Sequence, residues 1–464
     1  MDYNSFLTHI YERHSTNVKL GLERMYDILH KVGNPERKLK GIHIAGTNGK
    51  GSTSAILESL LLSLGHTTGL NTSPHLVDYA ERFRINGTEI THAELMELYS
   101  IYSEHFDETE ASFFEITTAL AFKLFVDKKI DSSIIEVGLG GRLDGTNLFN
   151  STVTVITSIS FDHTKTLGDT IEKIASEKAG IIKKKTPLVL GALPENALNV
   201  ILNKAKIEDA PYYILNRDFF VKNVTSSVKG CTFDYCFPEY EIELNDLKLN
   251  LLGSHQANNA SLALTALFVY LQFIKKEYKT TFNTSNSIAK TNMYSQNEFS
   301  KIRQALINVN WQGRLQVLSL DPIVVIDGAH NEEGVSVLIK NIKEIFPNYR
   351  YHFLVSILRD KALDKMIKEI CSVAETIYIS KNPSDRAADI QEQIDVAIST
   401  NTTYFADDDL IASVKKCISN VQNITINNED SFSLKKDMII ITGSLYTIAE
   451  VLKIKDQLFP NHIK

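Results

Sequence analysis

Residues Gly46-Thr-Asn-Gly-Lys-Gly-Ser52 bring three glycines, a lysine and two hydroxyls into one short stretch. The chemistry this suits is phosphate binding. Gly46, Gly49 and Gly51 let the backbone turn sharply and aim its N–H groups at one point, where the dipole of a following helix adds positive potential. Lys50 would then reach the β- and γ-phosphates of a nucleotide. The order departs from the strict G-x-x-x-x-G-K-[ST] pattern, because Gly51 separates Lys50 from Ser52 and the leading Gly46 falls too close. An ordinary strand-to-helix turn is the simpler alternative, so the neighbouring residues must decide.

Three further groups stand where an apolar β-run ends: Ser73 after Thr68 to Thr72, Glu136 in Ser132 to Val137, and His163 after Val153 to Ile159. A hydroxyl, a carboxylate and an imidazole facing nucleotide phosphates form a reasonable ligand set for magnesium, which takes few protein oxygens and keeps several waters. Imidazole is unusual on magnesium, so manganese could substitute. Each residue also has a plain reading, as a turn serine, a strand end and a loop histidine. Lys178 sits near the end of the helical segment Ile174 to Ile182, where a lysine ordinarily complements the helix dipole in solvent. Asn259 could hydrogen-bond an adenine or cap a helix. Asp327 and His330, in Asp327-Gly-Ala-His-Asn331, follow the run Ile323 to Ile326 and could close on a nucleotide held elsewhere.

The elements that must position these groups alternate strand, loop and helix, which predicts a mostly parallel sheet with helices on both faces and ligands beyond its carboxyl edge. Residues 1 to 40 read as helical, with Leu20, Leu22, Met25, Leu29 and Val32 roughly on one face. Ile56, Leu57, Leu60, Leu61 and Leu64 give the helix after the glycine turn a buried stripe that Gly65 ends. From Tyr212 to Leu252 the pattern becomes short and alternating, a small antiparallel insert with a hairpin turning at Asn245-Asp246. Lys275 to Ser300 reads as a mobile surface insertion. A second α/β series follows Trp311-Gln-Gly-Arg314, so the expected domains are 1–312 and 313–464.

A net charge of −7, with no basic block, gives nucleic-acid binding no support. There is no uninterrupted run of about eighteen apolar residues and no secretory leader, so the expectation is a cytoplasmic protein away from membranes. The four cysteines have no disulfide or zinc spacing and read as reduced.

The ordered motifs resemble the folylpolyglutamate synthase and dihydrofolate synthase family, cousins of the Mur ligases. They are Gly46 to Ser52, Thr72-Ser-Pro-His-Leu76, Phe113-Phe-Glu115, Glu136 to Asn147, Asp162-His163, Glu177-Lys-Ala-Gly-Ile181, His255-Gln256 to Asn259, and Asp327 to Asn331. The resemblance covers about residues 20 to 445 and implies a P-loop ATPase-type domain with the β insert, followed by a Rossmann-like domain. It implies that Gly46, Thr47, Asn48, Gly49, Lys50, Gly51 and Ser52 bind ATP phosphates, that Asn259, Arg314 and Asp327 contact the nucleotide, and that Lys50, Lys178, Asp327 and His330 serve catalysis. Ser73, Glu136 and His163 match the family's magnesium positions. Lys178 is similar to a lysine that becomes carbamylated and holds a second magnesium, which contradicts the solvated reading. Leu20, Gly21, Leu22, Glu23, Arg24, Arg82, Phe113, Phe114 and Glu115 resemble the border of a pterin or folate site. Gln312 departs from the family's proline in P-G-R.

The implied activity is an ATP-dependent ligase joining L-glutamate to dihydropteroate and to reduced folates, with two magnesium ions, room for a monovalent cation, and a monomeric state. A folylpolyglutamate synthase alone is the runner-up. A Mur-type cell-wall ligase fits less well, since only about forty residues precede the glycine turn. A nucleotide-gated binding protein would not need the metal constellation.

Overall fold

The computed structural model describes residues 2–16, 21–282, 294–428 and 436–459. Its largest sheet has eight strands: β1 (Gly41–Ala45), β2 (Thr68–Asn71), β3 (Phe83–Ile85), β4 (Thr88–Glu89), β5 (Ser132–Glu136), β6 (Val153–Ile156), β7 (Leu188–Leu190) and β8 (Tyr212–Ile214). Their order is β4-β3-β2-β5-β1-β6-β7-β8. Pairing is parallel from β2 to β8, while β3 turns back on β2 and β4 on β3. Every residue of β1, β5 and β6 is buried, as expected for central strands covered on both faces. On one face Ile42, Ile44 and Ile134 meet the helices Lys50–Ser63 and His255–Phe282. On the other, Ile135 meets the helix Phe113–Asp127, and Ile156 meets the helices Ile171–Ala179 and Glu195–Ile207. Ile44 pairs with Glu136 and Ala45 with Ile156, so the three central strands end level with one another. That common edge carries the glycine turn, Glu136 and the chain leading to His163.

The small antiparallel sheet consists of β9 (Phe220–Ser227), β10 (Gly230–Phe237) and β11 (Ile242–Leu249). Tyr212 belongs to β8 instead, so the insert begins later than its alternating pattern suggests. The hairpin expected at Asn245-Asp246 is also corrected: β11 runs straight through both residues. The chain turns between β10 and β11 at Pro238–Tyr240. Asn245-Asp246 is a bulge, with Phe233 paired to Leu247 and Tyr235 to Leu244. Asp246 has φ +53° and donates its N–H to Asp234 Oδ1 at 2.8 Å. A bulge and a turn both recruit Asn and Asp for positive φ, which is why they read alike.

The helix His255–Phe282 extends well past Lys275, and the helix Gln296–Ile307 begins before Ser300, so both flanks of the expected insertion are helical. Its centre, 283–293, lies outside the described residues. The stretch His255–Lys275 is long and apolar enough to cross a membrane, but 78% of its most apolar window is buried inside the protein. It is a core helix, and the reading of no such stretch missed it because scattered polar residues interrupt the run. The amino-terminal helix likewise resolves into two, Tyr3–Thr16 and Glu23–Lys31.

The third sheet orders β12 (Gln316–Leu320), β13 (Ile323–Ile326), β14 (Tyr349–Val355), β15 (Ala374–Ser380), β16 (Thr403–Asp407) and β17 (Lys436–Thr442) as β12-β13-β17-β14-β15-β16. Only β12 is antiparallel. The described cysteines are all free thiols.

Candidate active site

The glycine turn leaves β1 and enters the helix Lys50–Ser63, with Gly49 at φ +85° as its N-cap. That angle favours glycine. A Cβ on Gly49 would also stand 2.5 Å from Asn259 Oδ1, and one on Gly46 would stand 1.9 Å from Thr157 Oγ1. The turn is laced to the chain beyond β6. Thr47 N–H donates to Ser158 O at 2.9 Å, Asn48 N–H to Ser158 Oγ at 2.9 Å, and Thr157 Oγ1 to Asn48 O at 2.6 Å. These bonds hold the loop near a shape that suits anion capture.

Two lysines converge on it. Lys50 Nζ donates to Gly46 O at 3.1 Å and to Thr47 O at 3.2 Å, and Lys178 Nζ donates to Gly46 O at 2.9 Å. Lys178 is 5% exposed, so the solvated reading from its helix-end position is overturned. Burial, reinforced by the neighbouring Lys50 charge, pulls its ammonium down to about 7. A lysine so placed is in part a neutral amine at neutral pH, the form that can react with carbon dioxide.

Glu136 is buried at the end of β5, and burial pushes its carboxyl up to about 7 against the opposing fields of Lys50 and Arg314. It accepts the Ser73 N–H at 3.4 Å, a long contact for a carboxylate. His163 has φ +48°, and burial holds its imidazole down at about 4, hence neutral. Among the described residues no three His, Cys, Asp or Glu side chains gather into a ready metal cluster. A buried carboxylate short of partners, a nearby serine and a neutral imidazole nevertheless fit a hard cation that brings its own waters and phosphate oxygens.

The loops of the third sheet reach this edge. Asp162 accepts from Lys361 Nζ at 2.5 Å and from Asn331 Nδ2 at 3.2 Å, and lies 3.6 Å from His330 Nε2. Burial alone would raise the Asp162 carboxyl, yet His330, Lys361 and His163 together hold it well below the usual carboxylate range. Asn48, within the glycine turn, donates to Glu333 Oε2 at 2.6 Å, and Asn331 Nδ2 donates to Asn48 Oδ1 at 3.0 Å. Lys361, Glu333 and Asn331 were not singled out from sequence as site residues. Lys361 had one available signal, its place in the loop beyond the carboxyl end of β14.

The Asp327 carboxylate engages the backbone on both sides of its turn. Its Oδ2 accepts the Leu315 N–H at 2.7 Å and its Oδ1 the Ala329 N–H at 2.8 Å. The carboxylate thereby ties the linker to the end of β13, with Arg314 beside it. His330 Nδ1 meets Gly328 O at 2.8 Å, which turns Nε2 toward Asp162. Asn259 lies in the second turn of its helix, so capping does not explain it. Its Nδ2 donates to Gln256 Oε1 at 2.9 Å, and its Oδ1 abuts Gly49.

The expected substrate border is partly brought together. Arg24 makes a two-pronged ion pair with Glu115, Nε to Oε1 at 2.9 Å and Nη2 to Oε2 at 2.7 Å, although 91 residues separate them. Glu115 also closes a capping box with Ser112 at the head of its helix. Arg82 is buried, donates Nε–H to His75 Nδ1 at 2.8 Å, and stands 5.1 Å from the Phe113 ring centroid. The Phe114 ring lies against Gly138, while Gly21, Leu22 and Glu23 lead into the helix that carries Arg24. Leu20 lies outside the described residues.

The family described as the Mur ligase middle domain matches residues 44–267, and the Mur ligase, glutamate ligase domain matches residues 313–445. The chain is 35% identical over 459 residues to a Bacillus subtilis dihydrofolate synthase/folylpolyglutamate synthase, covering 97% of this chain and 98% of that one. A Mycobacterium tuberculosis folylpolyglutamate synthase complexed with ADP superposes with a TM-score of 0.85 at 28% identity, covering 98% of each chain. An Escherichia coli structure in complex with DHPP and ADP gives 0.82 at 26% identity, covering 99% of this chain and 98% of that one. With both Mur ligase modules in order and this relative matched almost end to end, the chain belongs to the folylpolyglutamate synthase/dihydrofolate synthase family of Mur-type ligases.

Proposed function

We propose that this protein is an ATP-dependent ligase that joins L-glutamate to dihydropteroate and to reduced folates. The observation that carries the reading is the single edge on which the glycine turn, Lys50, Glu136 and Lys178 meet Asp162, Lys361 and His330. The names and bound molecules of the relatives support the same chemistry.

In this reading residues 1–312 hold the nucleotide and residues 313–464 close over it. The acceptor carboxylate is a poor acylating agent, so one of its oxygens attacks the γ-phosphorus of ATP, the bond to ADP breaks, and an acyl phosphate forms. The glutamate nitrogen then attacks the acyl carbon, phosphate leaves, and the nitrogen gives up its proton as the amide forms. The loop N–H groups and Lys50 orient the phosphates and offset the charge that builds on the transferring group. Magnesium would be held by Ser73, Glu136 and His163, and a second ion by Lys178 as its carbamate, supplying further charge neutralisation. The Asp162 contacts keep the two halves together and water out, which protects the acyl phosphate. Asp327 acts by fixing the linker, and Arg82, Phe113 and the Arg24–Glu115 pair line the acceptor's side. The protein acts on small molecules in the cytoplasm as a monomer.

The test is product analysis by mass spectrometry after incubation with ATP, magnesium and glutamate plus either dihydropteroate or tetrahydrofolate. Glutamylation of both is expected. A product from tetrahydrofolate alone would select the polyglutamate synthase, and ADP release indifferent to both acceptors would overturn the ligase.

A further inference from the structure

Trp311, the chain's single tryptophan, opens the segment that leads from the first sheet to the third. Its indole rests on the first turn of the helix Lys50–Ser63: a Cβ built on Gly51 would stand 3.0 Å from both Cζ2 and Nε1. The Arg84 guanidinium meets the same ring, 6.0 Å from its centroid, within cation–π reach. Arg84 in turn pairs with the buried Glu58 of that helix, Nη2 to Oε2 at 3.1 Å, and donates to Gly87 O at 2.9 Å. Glu58 Oε1 accepts the Gly87 N–H at 3.2 Å. The indole is thus seated on the helix that begins at the phosphate turn and touched by an arginine bonded two turns further along it.

The far end of the segment is fastened to the third sheet. Gly328 N–H donates to Gly313 O at 2.9 Å, and Leu315 N–H donates to Asp327 Oδ2 at 2.7 Å. Gln312 alone separates Trp311 from Gly313, the first residue fastened in this way. We propose that Trp311 is a positioning residue that couples occupancy of the phosphate turn to the placement of the Asp327–His330 loop. The proposal rests on the nucleotide reading above. Phosphate oxygens drawn to the head of the helix settle its first turn, and Gly51 in that turn is the floor beneath the indole. The indole passes the adjustment to Gly313–Leu315, and so to His330. Gly51, out of place in a generic phosphate loop, is accounted for by this contact, because any side chain there would lift the indole.

The experiment joins two titrations of the wild-type protein with ADP and with ATP and magnesium, one calorimetric and one following tryptophan emission. It is completed by steady-state kinetics of Trp311→Ala and Trp311→Phe. Emission should change saturably with the calorimetric midpoint. Trp311→Ala should keep its calorimetric affinity for ADP while kcat falls about tenfold or more, as expected for a misplaced second half, and Trp311→Phe should restore most of kcat. Calorimetric binding without any change in emission, or a Trp311→Ala kcat equal to wild type, would overturn the coupling and leave the nucleotide reading standing. Absence of calorimetric binding to the wild type would instead remove the nucleotide reading, and the coupling with it. The wild-type titrations decide the question even where Trp311→Ala fails to fold.

Discussion

The two mostly parallel sheets meet through the loops at their carboxyl edges, yet they use their buried charged groups differently. At the first, burial drives ionisable groups toward neutrality: Lys178 comes down to about 7, Glu136 rises to about 7, and His163 falls to about 4. At the third, burial raises the Asp327 carboxyl too, but there the ionisable groups are tied up. Asp327 is held by two backbone N–H groups, and Lys361 is spent on Asp162 across the seam. One edge is built to receive charge and the other to hold position. The difference teaches where substitution should strike chemistry and where it should strike assembly.

Lys178→Ala tests the receiving edge most severely. Turnover should fall about a thousandfold, the scale of removing one preorganised electrostatic group, while thermal unfolding stays near that of the wild type and bicarbonate gives no rescue. Near-wild-type ADP release would erase the contrast between the edges. Asp162→Asn probes the seam, since it strands the buried Lys361 charge. A buried pair broken from one side is costly, and kcat should fall about a hundredfold with ADP affinity by calorimetry little changed, because misplacement rather than binding is at fault. Equal losses in both would assign Asp162 to the receiving edge. His163→Ala should raise the magnesium requirement by about tenfold or more, in line with losses at metal sites, and an unchanged magnesium titration would remove His163 from that edge.

The same contrast runs into the sheet interiors at a smaller scale. His43 on β1 is fully buried, its Nε2 meets Thr146 Oγ1 at 3.0 Å, and burial lowers its pKa to about 3. His352 on β14 is equally buried but lies 2.8 Å from Asp437, which also pairs with Arg350. Because the folded pKa of His43 is depressed, the unfolded chain binds the extra proton first. Its contribution is present above the ordinary histidine value near 6.5 and is lost as pH falls from there toward about 3. Taking the protein from about pH 7 to about pH 5.5 should cost about 1 kcal/mol through His43, since each pH unit in that window is worth about 1.4 kcal/mol. Urea unfolding of His43→Gln should show a shallower pH dependence, and an unchanged one would locate the acid sensitivity elsewhere.

Much of this was legible where local pattern and position coincide. β13 has the bounds its apolar run suggested, and the glycine turn and Glu136 lie at strand ends because central parallel strands are buried on both faces until they reach the edge. The run Val153 to Ile159 was read too long: β6 stops at Ile156, and His163 comes later as the N-cap of the helix Thr164–Leu167. Lys178 was not legible from its helix, since a lysine in a last turn looks alike whether solvent or the underside of a phosphate loop awaits it. The resemblance to a family supplied what spacing could not. Arg24 with Glu115, and Lys361 with Asp162, are partners across long stretches of chain, and no local pattern records such a meeting. The short pair β3 and β4 escaped because strands so brief carry too little periodicity to stand out, whereas β12, as long as β1, escaped without that excuse.

The helix that follows the glycine turn is made early, and its cover comes only after the first sheet is complete. The helix His255–Phe282 packs on it, Ser59 Oγ bonds Ala305 O at 2.9 Å, and Trp311 seals its first turn. During synthesis, at about 5–20 residues per second, Leu57, Leu60 and Leu61 wait tens of seconds for those partners. The chain therefore has a vulnerable interval on the ribosome, and a product stopped before His255 emerges with that helix uncovered, a substrate for chaperones and proteases rather than a smaller enzyme.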